Sequence, residues 1–143
     1  MGFARLTDLL LDTSAVSAAM AGNADLDAFL GTLEPESVIY TSVIVEGEVR
    51  FGLARLAEGR RKRDLDAAFE EVLSTLHDIL PTTRDIADEY GRLKSQLWDS
   101  GTPIGENDIW IASTARANGL VLLTSDPDYG SVPDLSVAKW SDA

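Results

Sequence analysis

Short, unbroken apolar runs separated by long stretches of helical periodicity constrain this chain more than any other feature. The runs are Leu9-Leu10-Leu11, Val38-Ile39-Tyr40-Thr41 and Leu120-Val121-Leu122-Leu123. Helical segments rather than tight hairpins join them, which predicts a parallel sheet in a three-layer α/β/α sandwich. A short strand or connector at Ile79-Leu80-Pro81 and a last edge strand at Ser136-Val137-Ala138-Lys139 would widen the sheet.

The helices are read from caps and spacing. Thr13 or Ser14 can cap a helix that runs to about Met20, and Asp25 to Leu33 reads as a second one before Pro35. Ser42 to Ala57 is helical by its apolar spacing, although Val43, Ile44, Val45 and Val49 are β-branched and weak helix formers. Leu65, Phe69, Val72, Leu73 and Leu76 mark an amphipathic helix over Asp64 to His77. Thr82 with Asp85 resembles a capping box, and Ile86, Tyr90, Leu93 and Leu97 form the stripe that follows, ended by Gly101 and Pro103. A helix from about Glu106 to Asn118 closes on Gly119. With 143 residues and neither repeat nor linker, the chain is expected to be a single domain over 1–143.

Composition removes several function classes. The chain has no cysteine and one histidine, so thiolate and multi-histidine metal sites are excluded and no nucleophilic triad is easily assembled around His77. No apolar run reaches the roughly 20 residues of a membrane helix. Met1-Gly2-Phe3-Ala4-Arg5 lacks a signal-peptide core, which suggests a cytoplasmic protein. The formal net charge of −12 argues against broad electrostatic binding of nucleic acid, so any such function works locally. Arg60-Arg61-Lys62-Arg63 is the one basic cluster, best read as a solvated helix end. Trp98, Trp110 and Trp140 are read as core or rim before base-stacking platforms.

The acids carry the chemistry. Asp12 ends the first apolar run and Asp126 follows the third by two residues, which places both at the carboxyl edge of the sheet, where open α/β folds bind ligands. Glu46 and Glu48 lie two apart and face different ways on a helix. Glu48 has Ile44 and Phe51 beside it, whereas Glu46 has Arg50 four residues on as a surface partner, so Glu48 is the inward acid. Asp108 shares a helix face with Ile111, Ala112 and Ala115. Each has an ordinary local explanation: edge glutamate for Glu48, macrodipole partner for Asp108, turn former for Asp126 and for Asp128. Jointly they describe a site. Carboxylates gathered without a counter-charge repel and drift toward protonation, whereas a hard cation such as Mg²⁺ or Mn²⁺ keeps them ionised. Ser14 could touch a phosphate or a metal-bound water, Thr124 could orient the strand-end loop, and Asn107 or Glu106 could cap the Asp108 helix or reach a metal-bound water.

Four segments, Leu10-Leu11-Asp12-Thr13-Ser14, Gly47-Glu48-Val49-Arg50-Phe51-Gly52, Asn107-Asp108-Ile109-Trp110-Ile111-Ala112 and Leu123-Thr124-Ser125-Asp126-Pro127-Asp128-Tyr129, resemble in this order a PIN-domain ribonuclease of the VapC toxin type. The resemblance covers nearly the whole chain and departs at Tyr129, where the family often has phenylalanine. It implies a Mg²⁺-dependent endoribonuclease whose metal-binding acids correspond to Asp12, Glu48, Asp108 and Asp126. It further implies an RNA substrate such as tRNA or rRNA, a cognate antitoxin partner and a homodimer. Two other readings compete: a haloacid-dehalogenase-like phosphatase, disfavoured because Ser14 stands where its second aspartate belongs, and a non-catalytic PIN-fold interaction module.

Overall fold

The computed structural model describes residues 8–141; Met1 to Arg5, read above for a leader, lie outside them. Five strands form one sheet: β1 (Asp8–Leu11), β2 (Val38–Ser42), β3 (Asp78–Leu80), β4 (Val121–Leu123) and β5 (Val137–Ala138). Their order is β3-β2-β1-β4-β5 and every pairing is parallel. Six helices connect them: α1 (Thr13–Met20), α2 (Ala24–Leu30), α3 (Val43–Ala54), α4 (Arg60–Thr75), α5 (Arg84–Asp99) and α6 (Glu106–Ala117). The sandwich predicted from the apolar runs is the fold. The chain steps from β1 out to β3 in one direction, then returns across β1 to β4. Right-handed crossovers therefore place α1 to α4 on one face and the packed pair α5 and α6 on the other.

The central strand explains the unbroken leucines. Leu10 lies opposite Tyr40 on one side and Leu122 on the other, and Leu9, Leu10 and Leu11 are buried between the two helix layers. We expect Leu10→Ala to destabilise the protein by about 2–5 kcal/mol through lost burial and a cavity, read as a fall in the urea midpoint at unchanged slope. A loss within about 0.5 kcal/mol would contradict this core assignment.

Boundaries shift where capping chemistry competes. Asn23, not Asp25, opens α2 by accepting from Leu26 N, and the helix ends at Leu30. Ser42 caps α3, whose β-branched Val45 and Val49 are buried with Leu53; packing overrides weak propensity, and the helix stops at Ala54. Thr83 rather than Thr82 caps α5. The basic run forms the first turn of α4, which begins four residues before the expected start at Asp64, behind Gly59 at φ 147°. Arg60, Arg61 and Arg63 are exposed and Lys62 pairs with Asp66 at 3.3 Å. His77 follows α4: its N–H donates to Ile39 O at 2.7 Å and its ring stands edge-on to Tyr40. Trp110 stacks on Tyr90 at 3.8 Å, Trp140 packs on the core, and Trp98 is 80% exposed. No helix among the described residues is long and apolar enough to cross a membrane.

Candidate active site

The strand order reverses between β1 and β4, and the crevice at their carboxyl ends is the switch point where open α/β sheets take ligands. Asp12 and Asp126 border it. Asp12 is 3% exposed and continues the ladder through its N–H to Leu123 O at 3.2 Å. It also caps α1: its backbone is extended and its Oδ1 accepts from Ala15 N at 2.9 Å. Neither Thr13 nor Ser14 serves as the cap, because the residue that leaves the strand already holds the extended conformation a cap needs.

Thr13 and Ser14 are thereby freed for the site. Ser14 Oγ donates to Asp12 Oδ1 at 2.6 Å and accepts from Ser125 N at 3.0 Å. Thr124 Oγ1 donates to Asp12 Oδ2 and accepts from Asp126 N at 2.9 Å. These two hydroxyls tie the loop after β4 to the aspartate after β1. Thr13 Oγ1 donates to Glu48 Oε1 at 2.5 Å, and Asn107 Nδ2 donates to Glu48 Oε2 at 3.2 Å. Glu46, on the other side of α3, pairs with Arg50 at 2.7 Å as its helical phase predicts.

Asp108 lies in the first turn of α6, which starts at Gly105 without a side-chain cap. Neither candidate cap serves: Asn107 reaches Glu48, and Glu106 accepts from Lys94 Nζ at 3.1 Å. Asp126 opens a 3-10 turn over Pro127–Ser131, its Oδ1 accepting from Asp128 N at 2.9 Å. Asp128 is exposed and enters the turn through its backbone. Sequence reasoning passed over Thr13, read only as a cap, and Tyr129, whose hydroxyl donates to Asp108 Oδ1 at 3.0 Å. The only sequence signal for Tyr129 was the hydroxyl at a position where the resembled family often carries phenylalanine.

The electrostatics are those of uncompensated negative charge. Among the described residues, no lysine, arginine or histidine forms an ion pair with Asp12, Glu48, Asp108 or Asp126. Burial raises the pKa of Asp12 above the ordinary 3.8; its donors Ser14, Thr124 and Ala15 pull against that, and the charge of Asp126 adds to it. Burial likewise raises Asp108, with Tyr129 opposing and Asp126, Glu48 and Asp12 contributing. Burial and the neighbouring carboxylates hold the Tyr129 phenol protonated far above its usual range. A hard divalent cation fits such a donor set, since oxygen ligands of net negative charge are what it takes. The site is not a preformed cage, however: among the described residues no three acidic or histidine side chains stand close enough together to hold an ion as they are.

The sign of these shifts gives a test. Above pH 3.8 the native state holds protons on Asp12 and Asp108 more tightly than the unfolded chain does. Metal-free stability therefore falls as pH rises from 3.8 through the raised values, and the cost is fully present above them. Asp108→Asn keeps an acceptor for Tyr129 and cannot ionise. We expect its metal-free melting temperature to equal or exceed wild type at neutral pH, with the difference shrinking below about pH 4. A variant that melts lower by the same margin at every pH would refute the assignment.

A five-stranded parallel sheet with acids from β1, α3, α6 and the β4 loop around its switch point defines an α/β protein with a carboxylate site. The chain belongs to the PIN domain family, whose sequence profile matches residues 9–135. It is similar to the VapC ribonuclease Y4jK of Sinorhizobium fredii, 34% identical over 94% of this chain and 99% of that protein. It is also similar to the toxin FitB of Neisseria gonorrhoeae, 32% identical over 94% of this chain and 99% of that protein. Among solved structures, VapBC2 of Rickettsia felis bound to a promoter DNA fragment superposes with a TM-score of 0.85 at 26% identity, over 94% of this chain and 100% of that one. FitAcB of Neisseria gonorrhoeae superposes at 0.79 with 31% identity, over 90% and 95%.

Proposed function

We propose that this protein is a Mg²⁺- or Mn²⁺-dependent endoribonuclease and the toxin of a VapBC-type pair, acting in the cytoplasm as a single domain over 1–143 on structured or single-stranded RNA such as tRNA or rRNA. The observation that carries the reading is the set of four carboxylates, drawn from four elements to one switch point with no cationic partner among the described residues. The VapC ribonuclease and toxin relatives support it.

A bound cation would polarise the scissile phosphate and lower the pKa of an attacking water. Asp12, Glu48, Asp108 and Asp126 are the residues to hold it. Ser14 and Thr124 keep both oxygens of Asp12 aimed, and Thr13 with Asn107 does the same for Glu48. Attack of that water on the phosphorus with departure of the 3′-oxygen would leave a 5′-phosphate and a 3′-hydroxyl. With a net charge of −12 the surface offers no general hold on RNA, so recognition rests on shape and contacts near the site. Incubating the purified protein with total tRNA and rRNA, with and without Mg²⁺, and mapping the new ends tests the activity. An RNA left intact in every metal would point instead to a non-catalytic interaction module.

Two partners complete the reading: a cognate antitoxin, in keeping with the VapBC and FitAB complexes, and a second copy of the chain. Support for the second copy lies on the surface. Phe51 and Val43 are exposed on α3 beside Asn107, and exposed Trp98 on α5 lies beside Glu106, so apolar side chains flank the first turn of α6 on both sides. Sedimentation at micromolar concentration should give the mass of a dimer, and Phe51→Glu with Trp98→Glu should give a folded monomer; a wild-type monomer would remove the proposal.

A further inference from the structure

We propose that Tyr129 is a positioning residue of the carboxylate site, its hydroxyl locking Asp108 in the orientation from which it binds a divalent cation. The inference rests on the metal-site reading above and adds to it a residue outside the acid set. Tyr129 is 1% exposed, with its ring in the hydrophobic core and its hydroxyl emerging at the site, 3.0 Å from Asp108 Oδ1. A ring wedged in the core has few rotamers, so the position of its hydroxyl is fixed by packing rather than by the bond it makes. Such a donor orients a carboxylate at little further entropic cost.

The connection also joins two acids. Tyr129 belongs to the turn that Asp126 opens through Asp128 N, and Val132 N donates to Tyr129 O at 3.1 Å to close that turn. Asp108 comes from a separate element, α6. The hydroxyl is therefore a direct link between the Asp126 turn and the first turn of α6. Oδ1 of Asp108 is engaged by it, while Oδ2 faces the space left by the missing side chain of Gly105, where an added Cβ would lie 3.4 Å away. The Tyr129 hydroxyl is therefore the restraint that sets the orientation of Asp108 before a cation arrives. Ser14 and Thr124 hold Asp12 in a comparable way, and Thr13 with Asn107 holds Glu48. Outer partners of this kind typically contribute 10- to 100-fold to metal affinity when removed one at a time.

Tyr129→Phe tests the proposal, because it keeps the buried ring and deletes only the donor. Titration of metal-free protein with Mn²⁺ in a calorimeter, well below both melting transitions, should show binding weakened about tenfold at unchanged stoichiometry. The Mg²⁺ concentration for half-maximal RNA cleavage should rise by a similar factor, with kcat at saturating Mg²⁺ and KM for RNA little changed. Tyr90→Phe removes a phenol that accepts from Lys94 at 3.1 Å and bonds none of the four acids, and should leave Mn²⁺ affinity as in wild type. If Tyr129→Phe binds Mn²⁺ as tightly as wild type, the proposal is overturned, and a drop in metal-free melting temperature with equal affinity would assign the hydroxyl to folding alone. Weakening in Tyr90→Phe as large as in Tyr129→Phe would overturn it equally. A wild-type protein that binds no Mn²⁺ or Mg²⁺ removes the metal-site reading and takes this inference with it, which separates that failure from the first.

Discussion

Asp12→Asn is expected to lower RNA cleavage by at least about a hundredfold while the protein remains folded. Electrostatic stabilisation through a bound cation amounts to several kcal/mol, and each 1.4 kcal/mol is a factor of about ten in rate. Asp12 is the most buried of the four acids and lies at the strand end nearest the switch point, so its charge is the least replaceable. Asn keeps the acceptor that caps α1 through Ala15 N, which is why the fold should survive. Glu48→Gln, Asp108→Asn and Asp126→Asn should each remove most of the activity for the same electrostatic reason. Glu46→Gln is the internal control. Its carboxylate pairs with Arg50 on the far side of α3, so cleavage should stay close to wild type. Cleavage assays on these variants, with circular dichroism to verify folding, decide the matter: wild-type rates in all four would sink the site, and a loss confined to Glu46→Gln would reverse the phase argument for α3.

Chelation with EDTA should abolish cleavage, and Mg²⁺ or Mn²⁺ should restore it. Ca²⁺ should restore less, being larger and satisfied by looser oxygen shells. The same ions should raise the melting temperature at neutral pH, since they bind the native arrangement and offset the burial and the weaker mutual repulsion that raise Asp12 and Asp108. At a free concentration 100 times the dissociation constant, the gain is about 2.7 kcal/mol for one site. Lowering the pH toward the ordinary carboxylate range should erase that gain, because protonated acids neither repel one another nor hold the ion. Binding should also steady the segments that carry the acids, visible as slowed proteolysis or amide exchange around Gly105 to Asp108 and Ser125 to Tyr129. Full activity in EDTA would end the metal reading.

Much of this was legible in the residues themselves. Burial on both faces makes Leu9-Leu10-Leu11 and Leu120-Val121-Leu122-Leu123 continuous apolar runs, and that pattern alone specified parallel strands and their helical crossovers. Helical phase alone separated Glu48 from Glu46, since residues two apart cannot share a face. The apolar run before Asp12 and the one before Asp126 placed both acids at the carboxyl edge. What the sequence left open was decided by long-range pairing. The strand order β3-β2-β1-β4-β5, which puts Asp12 and Asp126 just beyond the ends of neighbouring strands, depends on how crossovers pack and not on any local signal. The α1 cap fell to Asp12 because the extended backbone leaving β1 had already been fixed by pairing with β2 and β4. Thr13, Asn107 and Tyr129 look like an ordinary hydroxyl, amide and aromatic in the sequence. Each becomes a donor to a site carboxylate through a partner 35, 59 or 21 residues away, and only tertiary packing brings such distant groups within hydrogen-bond reach.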